Sequence, residues 1–315
     1  MRPVPVYRLY GLAVASPLDL PCPVAPRARR ADVRLEGGGG ARFAPLRPRT
    51  RAGRPSRSWF YSRQLRSGST YLRWAGLFEF LVSADGHDIR YHRHPGASVE
   101  SLSAYLLGQV LSHSLLAFGV EPLHGTVVVV DGRAIGFLGD CGYGKSTLGA
   151  AFLRLGFPVL TDDLVVLQRT TSGYAVHPGM PRIKLFPSVA RRVLRFGRPA
   201  SRLNDGTSKQ ILPLADGQAY RSAAPLAALY VLGEPGSAPH RSAVGIEVTP
   251  LSAGAAFLEV VRNSFNTAVL DRGRLARWFR FASRVTAAVP LRRLTYPRSL
   301  SKLPAVCEAV LADLS

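Results

Sequence analysis

The residues with the clearest chemistry run Gly139-Asp140-Cys141-Gly142-Tyr143-Gly144-Lys145-Ser146, with Thr161-Asp162-Asp163 a short way downstream. The first eight fit G-x-x-x-x-G-K-[ST], the pattern of a loop that cradles the phosphates of a nucleotide. An apolar run, 134–138, leads in as a buried strand does, and 147–155 leads out as a helix does. Glycines let backbone N–H groups turn toward phosphate oxygens, and the helix N-terminus adds partial positive charge. In that setting Lys145 reaches the terminal phosphates and the Ser146 hydroxyl sits on Mg²⁺. The expected ligands are ATP and Mg²⁺, held along Gly139–Thr147.

Loops of this kind usually meet their acidic partner well downstream, at the end of another strand. Here Asp162 and Asp163 follow Ser146 by only 16 and 17 residues. That leaves room for one short helix and one strand returning beside the loop, so both carboxylates should end near the γ-phosphate. One can help hold the metal, directly or through water, and the other can accept a proton from an acceptor hydroxyl. His124 lies 22 residues ahead of Ser146. Taken alone, a single histidine is more often structural than catalytic.

Three segments together resemble the catalytic core of bacterial HPr serine kinase/phosphorylases. They are Leu123-His124-Gly125-Thr126, the run from Gly139 to Leu148, and Gly156-Phe157-Pro158-Val159-Leu160-Thr161-Asp162-Asp163, within residues 123–167. That family shares a variant of the P-loop fold with phosphoenolpyruvate carboxykinases. The resemblance implies that His124 lies beside the transferred phosphate and that Lys145 and Ser146 hold ATP and Mg²⁺. It also implies that Asp163 deprotonates an acceptor serine, which leaves Asp162 to the metal. Two departures stand out. Cys141 occupies a loop position usually held by serine, and 174–187, where the family's metal-binding glutamate is expected, contains no acid. The resemblance therefore does not carry the family's phosphorylase activity or its HPr partner onto this chain. The layout is also similar to divergent HPr-kinase-related proteins of peptide-modification clusters, among them the lasso-peptide kinases, which phosphorylate a precursor peptide.

The elements around these residues divide in character. Residues 1–97 read as short strands (4–10, 32–35, 58–65, 70–74, 78–82 and 89–92), a β-rich domain. The run Leu9–Ala15 follows two arginines and ends in A-x-A, as a short signal sequence does. Its apolar core sits at the bottom of the range for one, so a first strand is expected. The Gly/Pro/Arg segment 36–57 offers nothing to bury and reads as an open loop. From Ser98 the spacing turns helical, with Gly119 as its stop. A hairpin follows around Asp131-Gly132, and the rest alternates strand and helix. The expected fold is α/β, a P-loop kinase core of the HPr kinase/phosphoenolpyruvate carboxykinase type over 98–315, behind the β-rich domain.

Composition narrows the partners. The net charge is +21, yet only four of the 41 basic residues are lysine. Such a bias toward arginine reflects base composition more than a phosphate-backbone interface, and no aromatic–basic interleaving offers to stack bases. No apolar run reaches the length of a membrane span. Three unpaired-looking cysteines suit a reducing cytoplasm. Neither nucleic acid nor membrane is expected, and the sequence is compatible with a homo-oligomer. Arg182, Lys184 and the later Lys209 are candidate contacts for phosphate or an acceptor carboxylate, and the two lysines stand out because arginine is the default cation here. Arg262-Asn263 is a weaker candidate, and His92/His94 read as surface residues. The function expected is an ATP-dependent serine kinase acting on a peptide or protein. The alternative is an ATP-binding regulator that hydrolyses slowly or not at all.

Overall fold

Residues 4–25, 30–49, 58–234, 245–267 and 271–314 are described by the structure, a computed structural model. By the density of its internal packing the chain divides into Met1–Val120 with Leu203–Gly206, and Glu121–Arg202 with Thr207–Ser315. The division falls at 120/121, so the helical stretch after Ser98 goes with the first unit; the change of pattern at 97/98 had placed it with the second.

The first unit is built on one sheet. Its strands are β1 (Val6–Leu9), β2 (Leu12–Ala15), β3 (Val33–Gly37), β4 (Phe60–Gln64), β5 (Thr70–Trp74), β6 (Phe78–Val82) and β7 (Asp88–Arg93), ordered β1-β2-β3-β7-β6-β5-β4. The stretch 9–15 is not one strand, because Tyr10 and Gly11 take positive φ and reverse the chain between β1 and β2. The Gly/Pro/Arg segment also departs from an open loop. Gly40–Phe43 forms a helical turn, α1, and Phe43 is 0% exposed, packed near the rings of Tyr71 and His92. One aromatic side chain supplies the buried surface that its glycine and arginine neighbours lack. Residues 50–57 of that segment lie outside the described residues.

Arg47, at the end of the same segment, pairs with the buried Glu79 through Nε at 3.0 Å and Nη2 at 2.7 Å. The Tyr71 hydroxyl donates to Glu79 at 2.6 Å, and His94 Nε2 lies 3.2 Å from it. Glu79, His92 and His94 bring their ligand atoms within 4.8 Å of one another. The two histidines are thus packed against a buried acid and are not plain surface residues. With a guanidinium already on the carboxylate, the group reads as a structural network that offsets a buried charge. Ser98 caps α2 (Val99–Tyr105), its hydroxyl accepting from Ser101 N at 3.0 Å. A π-helical turn and α3 (Leu111–Ala117) extend it to Gly119, which takes φ 79°.

The second unit is a mixed α/β assembly. Its strands are β8 (Leu123–Val130), β9 (Arg133–Leu138), β10 (Val159–Val165), β11 (Leu167–Thr170), β12 (Gly173–Val176), β13 (Arg182–Leu185), β15 (Thr207–Pro213), β16 (Ala224–Leu232), β17 (Glu247–Pro250) and β18 (Leu291–Thr295), while β14 (Arg202–Asn204) has two of its three residues in the first unit. Its helices are α4 (Lys145–Arg154), α5 (Pro187–Leu194), α6 (Ala253–Arg262), α7 (Arg272–Ala288) and α8 (Leu303–Leu314). The main sheet runs β10-β8-β9-β16-β12-β11, with β18 beside β16 and β17 beside β18; β13 and β15 pair antiparallel in a small separate sheet.

Four successive valines explain the layering. Val128 and Val130 pack with Phe152, Val189 and Val306 of α4, α5 and α8, while Val127 and Val129 pack with Val260, Ala282 and Val285 of α6 and α7. A strand buried on both faces reads as a continuous apolar run rather than an alternating one. β9, β16 and β18 are parallel, so β9 and β16 end side by side. In open α/β sheets that C-terminal edge is where ligands bind. No helix among the described residues is long and apolar enough to cross a membrane.

Candidate active site

β9 stops at Leu138 and α4 starts at Lys145, so 139–144 form the connecting loop. Gly139, Gly142 and Gly144 all take positive φ. Gly144 takes φ 94° directly ahead of α4, a conformation that strains any residue with a Cβ, and a Cβ there would also have to displace the Arg298 guanidinium 2.9 Å away. Gly139 N donates to Asn263 Oδ1 at 2.6 Å, fixing the loop's entry. Lys145 folds back across the loop, and its Nζ donates to the Gly139 and Asp140 carbonyls at 2.6 and 3.0 Å. The lysine is buried, and burial lowers its pKa to about 8. Asp140, Cys141 and Gly142 are exposed along the rim, with Tyr143 half-buried and Thr147 on the first helical turn.

Ser146 points at Asp162. Its Oγ donates to Asp162 Oδ1 at 2.8 Å, and Thr126 Oγ1 of β8 donates to the same oxygen at 2.7 Å. Asp162 Oδ2 accepts from the Lys184 amide at 2.9 Å. Three donors offset the burial of a carboxylate only 4% exposed. The contact depends on how closely α4 lies on β8. At Gly149 a Cβ would sit 2.6 Å from Thr126 Cγ2, so a larger residue would drive helix and strand apart.

Asp163 lies in the same strand but off its regular path, at φ 88°. Successive strand residues normally point to opposite faces. Here Asp163 pairs with Lys184 Nζ while Asp162 holds the amide of the same lysine. The positive φ is what lets two consecutive carboxylates converge on one residue. Asp163 is partly exposed, and it pairs in the ladder with Gly125, next to the His124–Leu164 pair. Lys184 is pulled down to about 8 by burial, against the opposing pull of Asp162.

His124 N donates to the Asn263 carbonyl at 2.6 Å, and its ring meets Phe265 edge-on at 5.3 Å between centroids. Burial first, then the charges of Lys145, Lys184 and Lys209, push its pKa down to about 3, so the imidazole is neutral at physiological pH. Lys209 Nζ sits over the Phe186 ring at 5.4 Å, and its charge also bears on Lys145 and Lys184. Register explains the convergence: Lys184 faces Ile211 across β13 and β15, so Lys209, two residues earlier, shares its face. Three of the four lysines therefore act on one place. Arg182 lies on that face too but is buried, at 5% exposure. Within 174–187 it is a cation, Lys184, that enters the site where an acid was expected.

Ser146 and Asp162 present only oxygen ligands, the donor set that suits a hard ion such as Mg²⁺. The lysines and the loop's amides suit a polyphosphate. Two residues here carried little or no signal in the sequence. Asn263 fixes both Gly139 and His124. Arg298 donates to the Tyr143 carbonyl, to the Gly233 carbonyl at 2.5 Å and to the Tyr296 hydroxyl at 3.1 Å.

No protein-family model matches the chain, and no curated protein matches it. Among solved structures it is similar to the HPr(Ser) kinase/phosphatase from Coxiella burnetii. The TM-score is 0.36 and the identity 11%, over 61% of this chain and 88% of that one. What bears on function is therefore the geometry of this chain's own residues.

Proposed function

We propose that this chain is an ATP-dependent kinase that transfers the γ-phosphate to a serine hydroxyl of a peptide or protein. The observation that carries the reading is the convergence on one glycine-rich loop of Lys145, the Ser146–Asp162 pair and the Asp163–Lys184 pair. Ser146 and Asp162 would hold Mg²⁺, which when bound neutralises charge on the phosphates. Lys145 would release its hold on the loop carbonyls and pair with the terminal phosphates. The serine oxygen attacks Pγ, the bond from Pγ to the β-bridging oxygen breaks, and ADP leaves. The hydroxyl proton passes to an Asp163 carboxylate oxygen. Lys184 and Lys209 face the charge on the moving phosphoryl group, and neutral His124 offers it a hydrogen bond without a full charge. None of the three cysteines is in a disulfide, which suits the reducing cytoplasm in which such a reaction would run.

The regulator reading has one observation in its favour. The Asp163 carboxylate is already engaged by Lys184, and a base held in an ion pair is a weaker base. One experiment separates the two. Mg-ATP binding is measured by calorimetry, and transfer from γ-labelled ATP is measured on a serine-containing peptide library beside threonine and alanine versions. A kinase labels the serine set, and Lys145→Ala loses both binding and labelling. ATP binding without transfer to any set supports the regulator. If Lys145→Ala binds and turns over ATP like the parent chain, the loop is not the nucleotide site.

A further inference from the structure

The layer of helices across the sheet from α4 presents an exposed face that is both apolar and basic. Val127 and Val129 seat α6 and α7 on the sheet through Val260, Ala282 and Val285. The exposed side of α7 carries Leu275 and Phe279, four residues apart and so on one face, at 48% and 63% exposure. Phe257 of α6 meets the Phe279 ring at 5.2 Å between centroids, and the apolar surface continues onto α6 at Leu258, 52% exposed. Over its 17 residues α7 holds five arginines and no acid. Arg274 pairs with the buried Glu121. Arg272, Arg280 and Arg284 are exposed, and among the described residues none of them has an acidic partner. Arg272 continues the Leu275–Phe279 stripe by one turn, and Arg280 and Arg284 form a neighbouring row.

We propose that this face docks an acidic amphipathic helix of a partner protein. The partner's apolar side chains rest on Leu258, Leu275 and Phe279, and its carboxylates meet Arg272, Arg280 and Arg284. The proposal does not depend on the nucleotide reading of the loop. Charge complementarity chooses the occupant. Elsewhere in this unit an exposed guanidinium has its own acid, as Arg221 has Asp216 at 2.7 Å, whereas the unmatched cations of α7 take theirs from outside. A second copy docked by the same face would set one arginine row against another. A lipid surface rewards buried apolar area, and α7 exposes only two large apolar side chains along its length. Nucleic acid would meet the arginines through its phosphates but leave the leucines without apolar contact. An apolar centre with arginine around it is instead the composition of a protein interface, and a helix laid on such a surface presents its anchors at every third or fourth residue. Arg272 and Arg280 stand about 12 Å apart along the axis, so acids roughly two turns apart on the partner reach both.

A displayed library of helix-forming peptides about four turns long, unbiased in charge, is selected on the full chain. Enriched peptides should combine acidic residues with apolar ones at helical spacing. By fluorescence anisotropy, the best of them should bind the intact chain about tenfold or more tighter than a version with every acid replaced by lysine. Its affinity should fall by about tenfold or more on Phe279→Ser and, separately, on Arg280→Glu. Both positions are exposed, and Arg280→Glu leaves the apolar surface whole, so a folding defect in one variant leaves the other as the test. Cross-linking should place the peptide on 253–288. Failure to enrich acidic peptides, binding indifferent to either variant, or cross-links elsewhere overturns the proposal. Three further results overturn it by naming another occupant. They are an intact chain that sediments as a dimer dissociated by Phe279→Ser, phosphatidylserine vesicles bound in preference to the peptide, and a DNA duplex bound in preference to it.

Discussion

Asp162 Oδ1 lies 2.8 Å from Ser146 Oγ and 2.7 Å from Thr126 Oγ1, so one carboxylate oxygen joins the start of α4 to two strands of the sheet. Asp162→Asn keeps the shape of that junction and removes its charge. The increment that Mg²⁺ adds to ATP affinity should fall by about 10–100-fold, the range seen when groups supporting a metal are lost. Binding without Mg²⁺ should change little, and chelating the metal from the parent protein should give the same loss. Unchanged metal dependence in Asp162→Asn would remove this residue from the ion.

Asp163 holds a backbone conformation that favours glycine, at a cost of about 1–3 kcal/mol. Asp163→Asn and Asp163→Gly both remove the proton acceptor, so each should lower phosphate transfer by about 10²-fold or more while ATP affinity stays within a few-fold. Of the two, the glycine variant should be the more stable in urea by about 1 kcal/mol, because it relaxes the strained φ. Near-parent transfer by either variant would end the claim that Asp163 takes the proton.

Lys145 and Lys184, both lowered to about 8 by burial, set an alkaline limit. At pH 7 both carry charge, and raising the pH through 8 removes it. ATP affinity should therefore decline across that range, and Lys184→Arg, charged throughout, should flatten part of the decline. Stability of the ligand-free protein should move the other way. The unfolded chain holds these protons up to pH ~10.4, so between about 8 and 10.4 it binds more protons than the folded chain and folding gains with pH. Calorimetric titrations and urea midpoints across pH 7–10 test both signs.

His124 gives the acid side. Its folded pKa of about 3 lies below the ordinary histidine value of about 6.5. Between those values the unfolded state takes up the proton and the folded state does not. Stability should fall as pH falls through that window, with this one residue contributing up to about 1.4 kcal/mol per pH unit. Urea midpoints at pH 7, 6 and 5 should converge less steeply in His124→Gln. An identical slope in the variant would mean that the imidazole is freely protonated in the fold.

The site was legible in sequence where its parts are neighbours along the chain. The glycine loop, Ser146 and the two aspartates sit within one strand–loop–helix–strand passage, and spacing alone brought them together. The choice of Lys184 and Lys209 rested on lysine's rarity, and the two meet because β13 and β15 pair in a register no local pattern announces. Asn263 and Arg298 lie 124 and 155 residues from the loop atoms they hold. In a chain so rich in arginine, nothing marked Arg298 apart. Phe43 failed for the opposite reason: a segment dominated by glycine and arginine hid the single side chain that docks it. The helix after Ser98 was read with its caps in place, but a helix's own pattern does not say which unit its apolar face will meet.

The parallel pairings β9–β16 and β16–β18 set an order of manufacture. β9 gains β16 only once 224–232 has been made, and β16 gains β18 only at 291–295. Pairings this distant close large loops before their contacts reward them, so they form late and slowly. A chain leaving the ribosome would thus carry the whole phosphate-loop sequence long before Asn263 and Arg298 could hold the loop in shape. The donors for the Tyr143 and Gly233 carbonyls arrive last, with Arg298. Nucleotide would then be a ligand of the finished chain alone, lending stability to completed molecules and none to nascent or C-terminally clipped ones.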